Sequence, residues 1–239
     1  GLPDFYPIAD AARIDNQGME YWDLMDGGEY TNNGFSPTPY TPWEKEVMGW
    51  TSLTTLEDKA QTVTLKADEA RKIESENSDE YIILHNIQDK DWHSGIAKLG
   101  HGMLIYRVNY GKSRVNMYDH VNDTPGKPGM TVVPADGELF SSYTAKTKEE
   151  RKRYRESHKG DPFPGEKAVT ELLEIKLNLS TLKKPFYNIT EDEKEQTVTF
   201  NYLKKSDPTG INTIATDSEP ANERIYTLDG RYVGTNHTA

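Results

Sequence analysis

The sequence of 239 residues contains no cysteine. Disulfide bonds, thiolate nucleophiles and cysteine zinc sites are therefore excluded, and the redox compartment stays undecided. Apolar runs near the roughly 18 residues that cross a bilayer are also missing, so we expect no transmembrane segment. The chain has no GxSxG elbow, no phosphate-binding glycine loop and no HExxH motif. A complete catalytic motif is thus not visible.

Positive charge is scarce, with 28 Lys and Arg against 39 Asp and Glu and a formal net charge of −11. A surface of this sign repels phosphate backbones, so nucleic acid is not expected as a partner. The most basic stretch, KTKEERKRYR at 146–155, includes two glutamates and is typical of a solvated helix or loop. The mean hydropathy is low at −0.82, but 14 Tyr, four Trp and six Phe supply bulky side chains for a core.

Local patterns predict an α+β fold of mostly antiparallel β-strands with few short helices. Thr41, Pro42 and Glu44 form a strong helix start with a capping box, which predicts a helix over 42–49. Apolar or alternating runs predict strands at 62–65, 81–84, 103–108, 132–133, 172–179, 186–189 and 197–202. The charged composition of 137–168 predicts a long surface excursion.

The composition also predicts three regions along the chain. Residues 1–203 are expected to form one domain, and the polar segment 204–222 has the prolines and small polar residues of a linker. Residues 223–239 are expected to begin a small β appendage. Within it, IYTLDGRYV predicts a hairpin with its turn at Asp229-Gly230.

Two short segments point to metal chemistry. Zinc peptidases with an HExxHxxGxxD motif use a glycine to end the metal-binding helix and a ligand three residues later. GLPD at 1–4 has this glycine and places Asp4 at the third-ligand position, where a carboxylate binds zinc at about 2.0–2.2 Å. Met25 lies in WDLMDGG at 22–28, where it could form a tight turn beneath a metal site. Taken singly, Asp4 also fits a turn acceptor and Met25 a buried residue beside a loop.

Together with later segments, these motifs resemble the immune inhibitor A-like family of secreted bacterial zinc metallopeptidases. The matching segments occur in the family's order and span residues 1–203. They are GLPDFY at 1–6, WDLM at 22–25, PYTPWEKEVMGW at 39–50, DEYIILHN at 79–86, LGHGMLIYRV at 99–108, ADG at 135–137, GDPFPG at 160–165, and YNIT through TVTF at 187–200.

The resemblance implies that the chain is the C-terminal half of a metzincin-like catalytic domain, beginning at the GLPD of the motif. Asp4 is then the third zinc ligand and Met25 the Met-turn residue. Both histidine ligands and the general-base glutamate are expected upstream, so no catalytic residue is assigned within the chain. Zinc is the implied cofactor of the intact enzyme, a protein or peptide its substrate, and the upstream part of the same domain the partner of this chain.

Further expectations concern possible calcium ligands, an oxyanion-stabilising tyrosine and the C-terminal tail, which carries a resemblance of its own. Asp136 and Asp161 are candidates for a structural calcium, with a role in loop ordering as the plainer alternative. Tyr6 or Tyr30 could stabilise an oxyanion, but the spacing from Met25 singles out neither. The tail resembles the first hairpin of a C-terminal sorting module in secreted proteins of Bacteroidetes-type bacteria. It favours a secreted, periplasmic or cell-surface location.

Competing functions remain open at this point. In the first, the intact parent is a zinc metalloendopeptidase, and this chain alone is inactive because one carboxylate cannot hold a catalytic zinc. In the second, the chain is a non-catalytic β-rich binding or structural module derived from a peptidase. A third, a carbohydrate-binding surface, rests on aromatic content alone. The six histidines never stand at i, i+4, and each is expected to be structural or on the surface.

Overall fold

The structure is a computed structural model that describes residues 2–3, 5, 16–77, 79–109 and 121–205, together with the backbone of 224–226 and 232–235. It confirms the predicted α+β class, since the strands are mostly antiparallel and the α-helices are few and short. None of the helices in these residues has the length and apolar character needed to cross a bilayer. The chain divides into two compact units, 1–206 and 207–239.

The described residues of the first unit form two main antiparallel sheets and a small third one. Its strands are β1 (Gln61–Leu65), β2 (Ala70–Glu74), β3 (Tyr81–Ile87), β4 (Gly102–Val108), β5 (Met130–Val132), β6 (Ile175–Lys176), β7 (Thr181–Leu182), β8 (Phe186–Asp192) and β9 (Thr197–Tyr202). The order is β2-β3-β4-β5 in the four-stranded sheet and β1-β9-β8 in the three-stranded sheet. Strands β6 and β7 pair with each other.

The central strands β3 and β4 are buried on both faces. Ile82 and Leu84 join a core shared with the three-stranded sheet, whereas Ile83 and Ile87 join a second core with the N-terminal segment. Burial on both faces explains why these strands are continuous apolar runs rather than alternating ones. His85 follows the alternation of Ile83 and Ile87, so it lies on the second face.

Helix α1 (Pro42–Val47) begins as predicted. The hydroxyl of Thr41 accepts a hydrogen bond from the Glu44 N–H at 3.2 Å, and the Glu44 carboxylate accepts one from the Thr41 N–H at 2.7 Å. The helix ends at Val47, two residues before the predicted end. Glu46 forms an ion pair of 2.8 Å with Lys72 on β2, which fixes the helix against the four-stranded sheet.

The prediction of a surface excursion over 137–168 is wrong in part. Helix α2 (Lys148–Ser157) is largely exposed, but His158, Asp161 and Phe163 are buried. The backbones of Phe163 and Met103 exchange two hydrogen bonds of 2.8 and 2.9 Å, which attach this segment to β4. These buried residues are spaced irregularly among charged ones, so no apolar periodicity in the sequence predicts their burial.

Several strand predictions differ in their bounds, since β3 continues to Ile87 and β5 covers Met130–Val132 rather than 132–133. The strand expected over 172–179 is reduced to β6, while that expected over 186–189 continues to Asp192. In the second unit, β10 (Arg224–Tyr226) and β11 (Tyr232–Thr235) pair in antiparallel fashion. The predicted turn at Asp229-Gly230 lies outside the described residues, as does the predicted linker beyond residue 205.

Candidate functional site

Asp4, the predicted zinc ligand, lies outside the described residues. The residue after it, Phe5, is fully buried and packs edge-on against Trp43 of α1, with ring centroids 5.1 Å apart. The GLPDFY segment is thus joined to the core through Phe5. The role of Asp4 as a metal ligand stays a prediction.

Met25 lies half-buried in a turn of the WDLM segment. Its N–H donates to Oδ1 of Asp23 at 2.7 Å. The following Gly28 is packed so closely that an added Cβ would lie 2.7 Å from the Thr38 Cβ and nearer still to the Asp23 carbonyl. This turn is therefore tightly specified, and the Met-turn role of Met25 stays a prediction. Of the two candidate tyrosines, Tyr30 is exposed and Tyr6 lies outside the described residues.

Asp23 and Glu44 form a buried carboxyl pair beside this turn. Both are fully buried, and their carboxyl groups interact, while Asp23 Oδ2 and Glu44 Oε1 accept no hydrogen bond from the described residues. Burial, followed by the charge of Glu44, raises the pKa of Asp23, and burial raises the pKa of Glu44 to about 7. Two adjacent carboxylates in an apolar interior do not both ionise readily, so the pair keeps one proton near neutral pH.

Asp161, one of the two calcium candidates, is buried in a hydrogen-bond network. Its Oδ2 accepts hydrogen bonds from Trp22 Nε1 at 2.7 Å and Gln17 Nε2 at 3.0 Å. Burial raises the pKa of Asp161 to about 8. The N–H of Asp136 donates to the carbonyl of Gly160 at 3.1 Å, which joins the two motifs. These contacts order the loops, and calcium binding stays a prediction.

Within the described residues, one group brings three potential metal ligands together: Asp68, His85 and His93. No two of their ligand atoms are more than 4.8 Å apart. Nε2 of His85 is 3.0 Å from Oδ1 of Asp68, and Nε2 of His93 is 3.6 Å from the same oxygen. Two imidazoles and one carboxylate are donors that suit zinc and other first-row divalent metals.

Three separate elements hold these side chains. Asp68 occupies the turn between β1 and β2 with φ of 61°, a left-handed conformation in which aspartate is enriched. Its N–H donates to the carbonyl of Asn86 at 2.9 Å, which fixes the turn beside β3. His85 belongs to β3, and His93 lies in the short 3-10 turn Asp91–Ser94. The group therefore exists only in the folded chain.

Burial sets the protonation of the two histidines. It lowers the pKa of His85, and it lowers the pKa of His93 to about 4, so both are neutral near pH 7. Burial alone would raise the pKa of Asp68, but the hydrogen bond from His85, the charges of His85 and His93 where these are protonated, and the charge of Lys45 outweigh it and lower this pKa. Neutral imidazoles and an ionised carboxylate are the states that metal binding requires.

A groove of about 800 Å³ opens beside this group and is lined in part by Asp68 and His93. Trp50 and Trp92, which also line it, are 65% and 71% exposed. The ring of Tyr40 packs edge-on against Trp50, with centroids 5.5 Å apart. Exposed aromatic side chains around a concave surface are typical of binding sites.

Neither a family model, nor a curated protein, nor a solved structure matches the chain. Its relation to the immune inhibitor A-like family therefore stays a resemblance of motifs. The function has to be argued from those motifs and from the chemistry of the folded chain.

The sequence prediction for the histidines missed the Asp68–His85–His93 group. Spacing along one helix is the only pattern that the prediction considers. Asp68 instead lies in the connection between β1 and β2, His85 lies on β3, and His93 lies in the 3-10 turn that follows β3. One signal was present in the sequence. The alternation of β3 directs His85 toward a buried face, where a polar ring requires a hydrogen-bonding partner or another ligand.

Proposed function

We propose that the chain is the C-terminal part of the catalytic domain of a secreted zinc metalloendopeptidase resembling the immune inhibitor A-like family. Asp4 would bind the metal together with two upstream histidines, and an upstream glutamate would act as general base. Zinc held in such a site lowers the pKa of a bound water and polarises a carbonyl group. This chain would add the Met-turn at Met25 and part of the substrate cleft.

The main support is the way in which the family-like segments pack together. Phe5 of GLPDFY, Trp22 of WDLM and Trp43 of PYTPWEKEVMGW belong to one buried cluster. The interacting carboxyl groups of Asp23 and Glu44 connect the second and third of these segments. Segments that are distant along the chain thus share one core, as expected when they serve a common site.

The groove supplies a second line of support. Leu24, the residue before Met25, lines it together with Tyr40 and Trp50. A cleft of this kind offers apolar and aromatic surface to an extended peptide. Its position directly beside the WDLM turn agrees with a protein or peptide substrate.

The decisive experiment uses a longer polypeptide that includes the residues upstream of Gly1, where the proposal expects an in-frame HExxH motif. Its zinc content and its hydrolysis of casein would be measured. Asp4→Ala is expected to lose casein hydrolysis and the one zinc bound at the HExxH site, because removing one of three protein ligands abolishes a catalytic zinc site. The matched control is Asp79→Asn, since Asp79 is exposed in the β2–β3 connection and its loss should change neither.

Either of two results would overturn this proposal. One is an upstream region without HExxH, and the other is an Asp4→Ala enzyme that retains zinc and full activity. The chain of 239 residues is itself expected to leave casein uncleaved. Casein cleavage by this shorter chain would contradict the assignment of the general base to the upstream part.

The exposed aromatic groove also favours a second candidate, a non-catalytic binding module derived from a peptidase. In that case Trp50 and Trp92 would hold a peptide without any metal chemistry. This candidate expects unrelated sequence or a start codon immediately upstream. It further expects the short chain to bind unfolded casein in the presence of a chelator, with Trp92→Ala weakening the binding.

A further inference from the structure

We propose that Asp68, His85 and His93 form a binding site for a divalent transition metal, with zinc as the first candidate. This site uses none of the residues expected around Asp4 and goes beyond the peptidase function. It lies within this chain, so it does not depend on an upstream HExxH motif.

The geometry is close to that of a bound ion. A tetrahedral zinc with bonds of about 2.0–2.2 Å sets its ligand atoms roughly 3.3–3.5 Å apart. The two imidazole nitrogens lie 3.0 and 3.6 Å from Oδ1 of Asp68. The widest separation among the three ligand atoms is within 4.8 Å. Bonding to one ion would require the buried ring of His93 to move toward the other two ligands.

Tyr106 provides the outer support that histidine ligands commonly have. Its hydroxyl, buried on β4, lies 3.0 Å from Nδ1 of His85. A metal on Nε2 places the ring proton on Nδ1, from which it donates to the Tyr106 oxygen. Such partners fix the orientation and tautomer of a ligating imidazole. His85 is thus already held with Nε2 facing Asp68.

The site would leave part of the metal accessible. Three protein ligands leave at least one position for water or another ligand, as in catalytic rather than closed structural zinc sites. Asp68 and His93 both line the groove, and the side chain of Asp68 is 48% exposed. The open position would therefore face the groove and the exposed Trp92.

Lys45 opposes metal binding and supplies a sharp test. Its Nζ is 3.4 Å from Oδ1 of Asp68, the same oxygen that both histidines approach. A metal bound there must displace or repel this ammonium. Removing the charge in Lys45→Gln should tighten binding by up to about 30-fold, the size of the interaction between a unit charge and a divalent ion near 4 Å in water. A merely structural histidine–aspartate contact gives no reason for this gain.

The experiment is titration of the chelator-treated chain with Zn²⁺ by calorimetry and with Co²⁺ by visible absorption. One equivalent is expected to bind. His93→Ala and Asp68→Asn should each weaken binding more than about 100-fold, and Tyr106→Phe about 10- to 100-fold, the range for outer-shell partners. His101→Ala is the matched control, because His101 bonds to Glu191 at 2.7 Å outside the site. Thermal unfolding of each variant without metal reports whether it folds.

Binding that survives His93→Ala or Asp68→Asn in a folded chain, or no saturable binding at millimolar Zn²⁺ and Co²⁺, overturns the inference. The Asp4→Ala chain should bind as the parent does. If Asp4→Ala removes the metal and His93→Ala does not, this inference fails and the peptidase proposal stands. If the longer polypeptide lacks peptidase activity while the short chain binds metal through His93, the peptidase proposal fails and this inference stands.

Discussion

The carboxyl groups of Asp23 and Glu44 interact in the interior of the protein, where both side chains are fully buried. Asp23 belongs to the WDLM turn and also accepts from the N–H of Met25, whereas Glu44 closes the capping box of α1 with Thr41. The pair therefore connects a loop to a helix start. Because burial favours the protonated form, folding is accompanied by the uptake of a proton at this pair.

This proton makes stability depend on pH. The pKa of Glu44 is about 7 in the folded chain against an ordinary value of 4.5. Between these values the folded state binds more protons than the unfolded state, so the free energy of unfolding falls as the pH rises. The pair stabilises the fold fully below this window and loses that contribution above it.

Glu44→Gln is expected to flatten the pH dependence. Glutamine also serves in a capping box and can donate its amide N–H to Asp23. At pH 8 the variant should be more stable than the parent by about 1–3 kcal/mol, since one pKa unit corresponds to about 1.4 kcal/mol. Urea unfolding at pH 5 and pH 8 measures the difference. Glu150→Gln, in the exposed capping box of α2, is the control and should show no such gain.

Asp161→Asn should likewise reduce the loss of stability with rising pH, but in a higher pH range. The pKa of Asp161 is about 8 against an ordinary value of 3.8, so its contribution to stability falls as the pH rises through this window. Asparagine keeps an oxygen for the Trp22 and Gln17 donors. We expect the variant to exceed the parent at pH 9 by about 2–4 kcal/mol. The exposed Asp89→Asn is the control.

The same variant tests the predicted calcium. If Asp161 binds Ca²⁺, millimolar CaCl₂ raises the Tm of the parent at pH 8 and leaves that of Asp161→Asn unchanged. Equal Tm values with and without calcium in both proteins would show that Asp161 does not bind calcium. Its role would then be to order the loops through Trp22 and Gln17.

The fold class was predictable because its signals are local. The helix start at Thr41-Pro42-Glu44 and the apolar runs of β3 and β4 each depend on neighbouring residues. Strand pairing was not predictable, because β1 pairs with β9 from the far end of the unit. A local pattern records which face of a strand is buried but not which distant strand covers it.

The candidate metal group could not be predicted either, because its residues are distant along the chain. Asp68, His85 and His93 lie on a turn, a strand and a 3-10 turn that meet only after folding. The resemblance instead directed attention to Asp4 and Met25, which stand in recognisable motifs. Motifs reveal residues whose spacing is fixed along the chain, whereas sites assembled across elements have no such spacing.

Phe5→Ala is expected to destabilise the protein by about 3–5 kcal/mol, the usual cost of truncating a buried phenylalanine. Phe5 is fully buried and packs edge-on against Trp43. Phe35→Ala is the matched control, because Phe35 is 86% exposed and surface changes usually stay within about 0.5 kcal/mol. Guanidinium unfolding measures both. Similar midpoints for the two variants would show that the GLPDFY segment does not belong to the core.

Gly28→Ala tests the turn that carries Met25. A Cβ at Gly28 would lie 2.7 Å from the Thr38 Cβ and closer still to the Asp23 carbonyl oxygen, which is backbone and cannot rotate away. We expect a loss of about 2–4 kcal/mol, typical of severe overpacking. Gly27→Ala is the control, since its Cβ meets no atom nearer than 3.3 Å, and its cost should be smaller.

The two glycine variants also test whether the WDLM turn only supports the core or also positions Met25 beneath the zinc site. In the longer polypeptide, measured at a temperature where all variants are folded, Gly28→Ala should lower casein hydrolysis more than Gly27→Ala if Met25 lies beneath the zinc site. The reason is that the clash with the Asp23 carbonyl displaces the turn from which Met25 projects. If Gly28→Ala is destabilised but fully active when folded, the WDLM turn supports only the core, and the Met-turn assignment of Met25 is wrong.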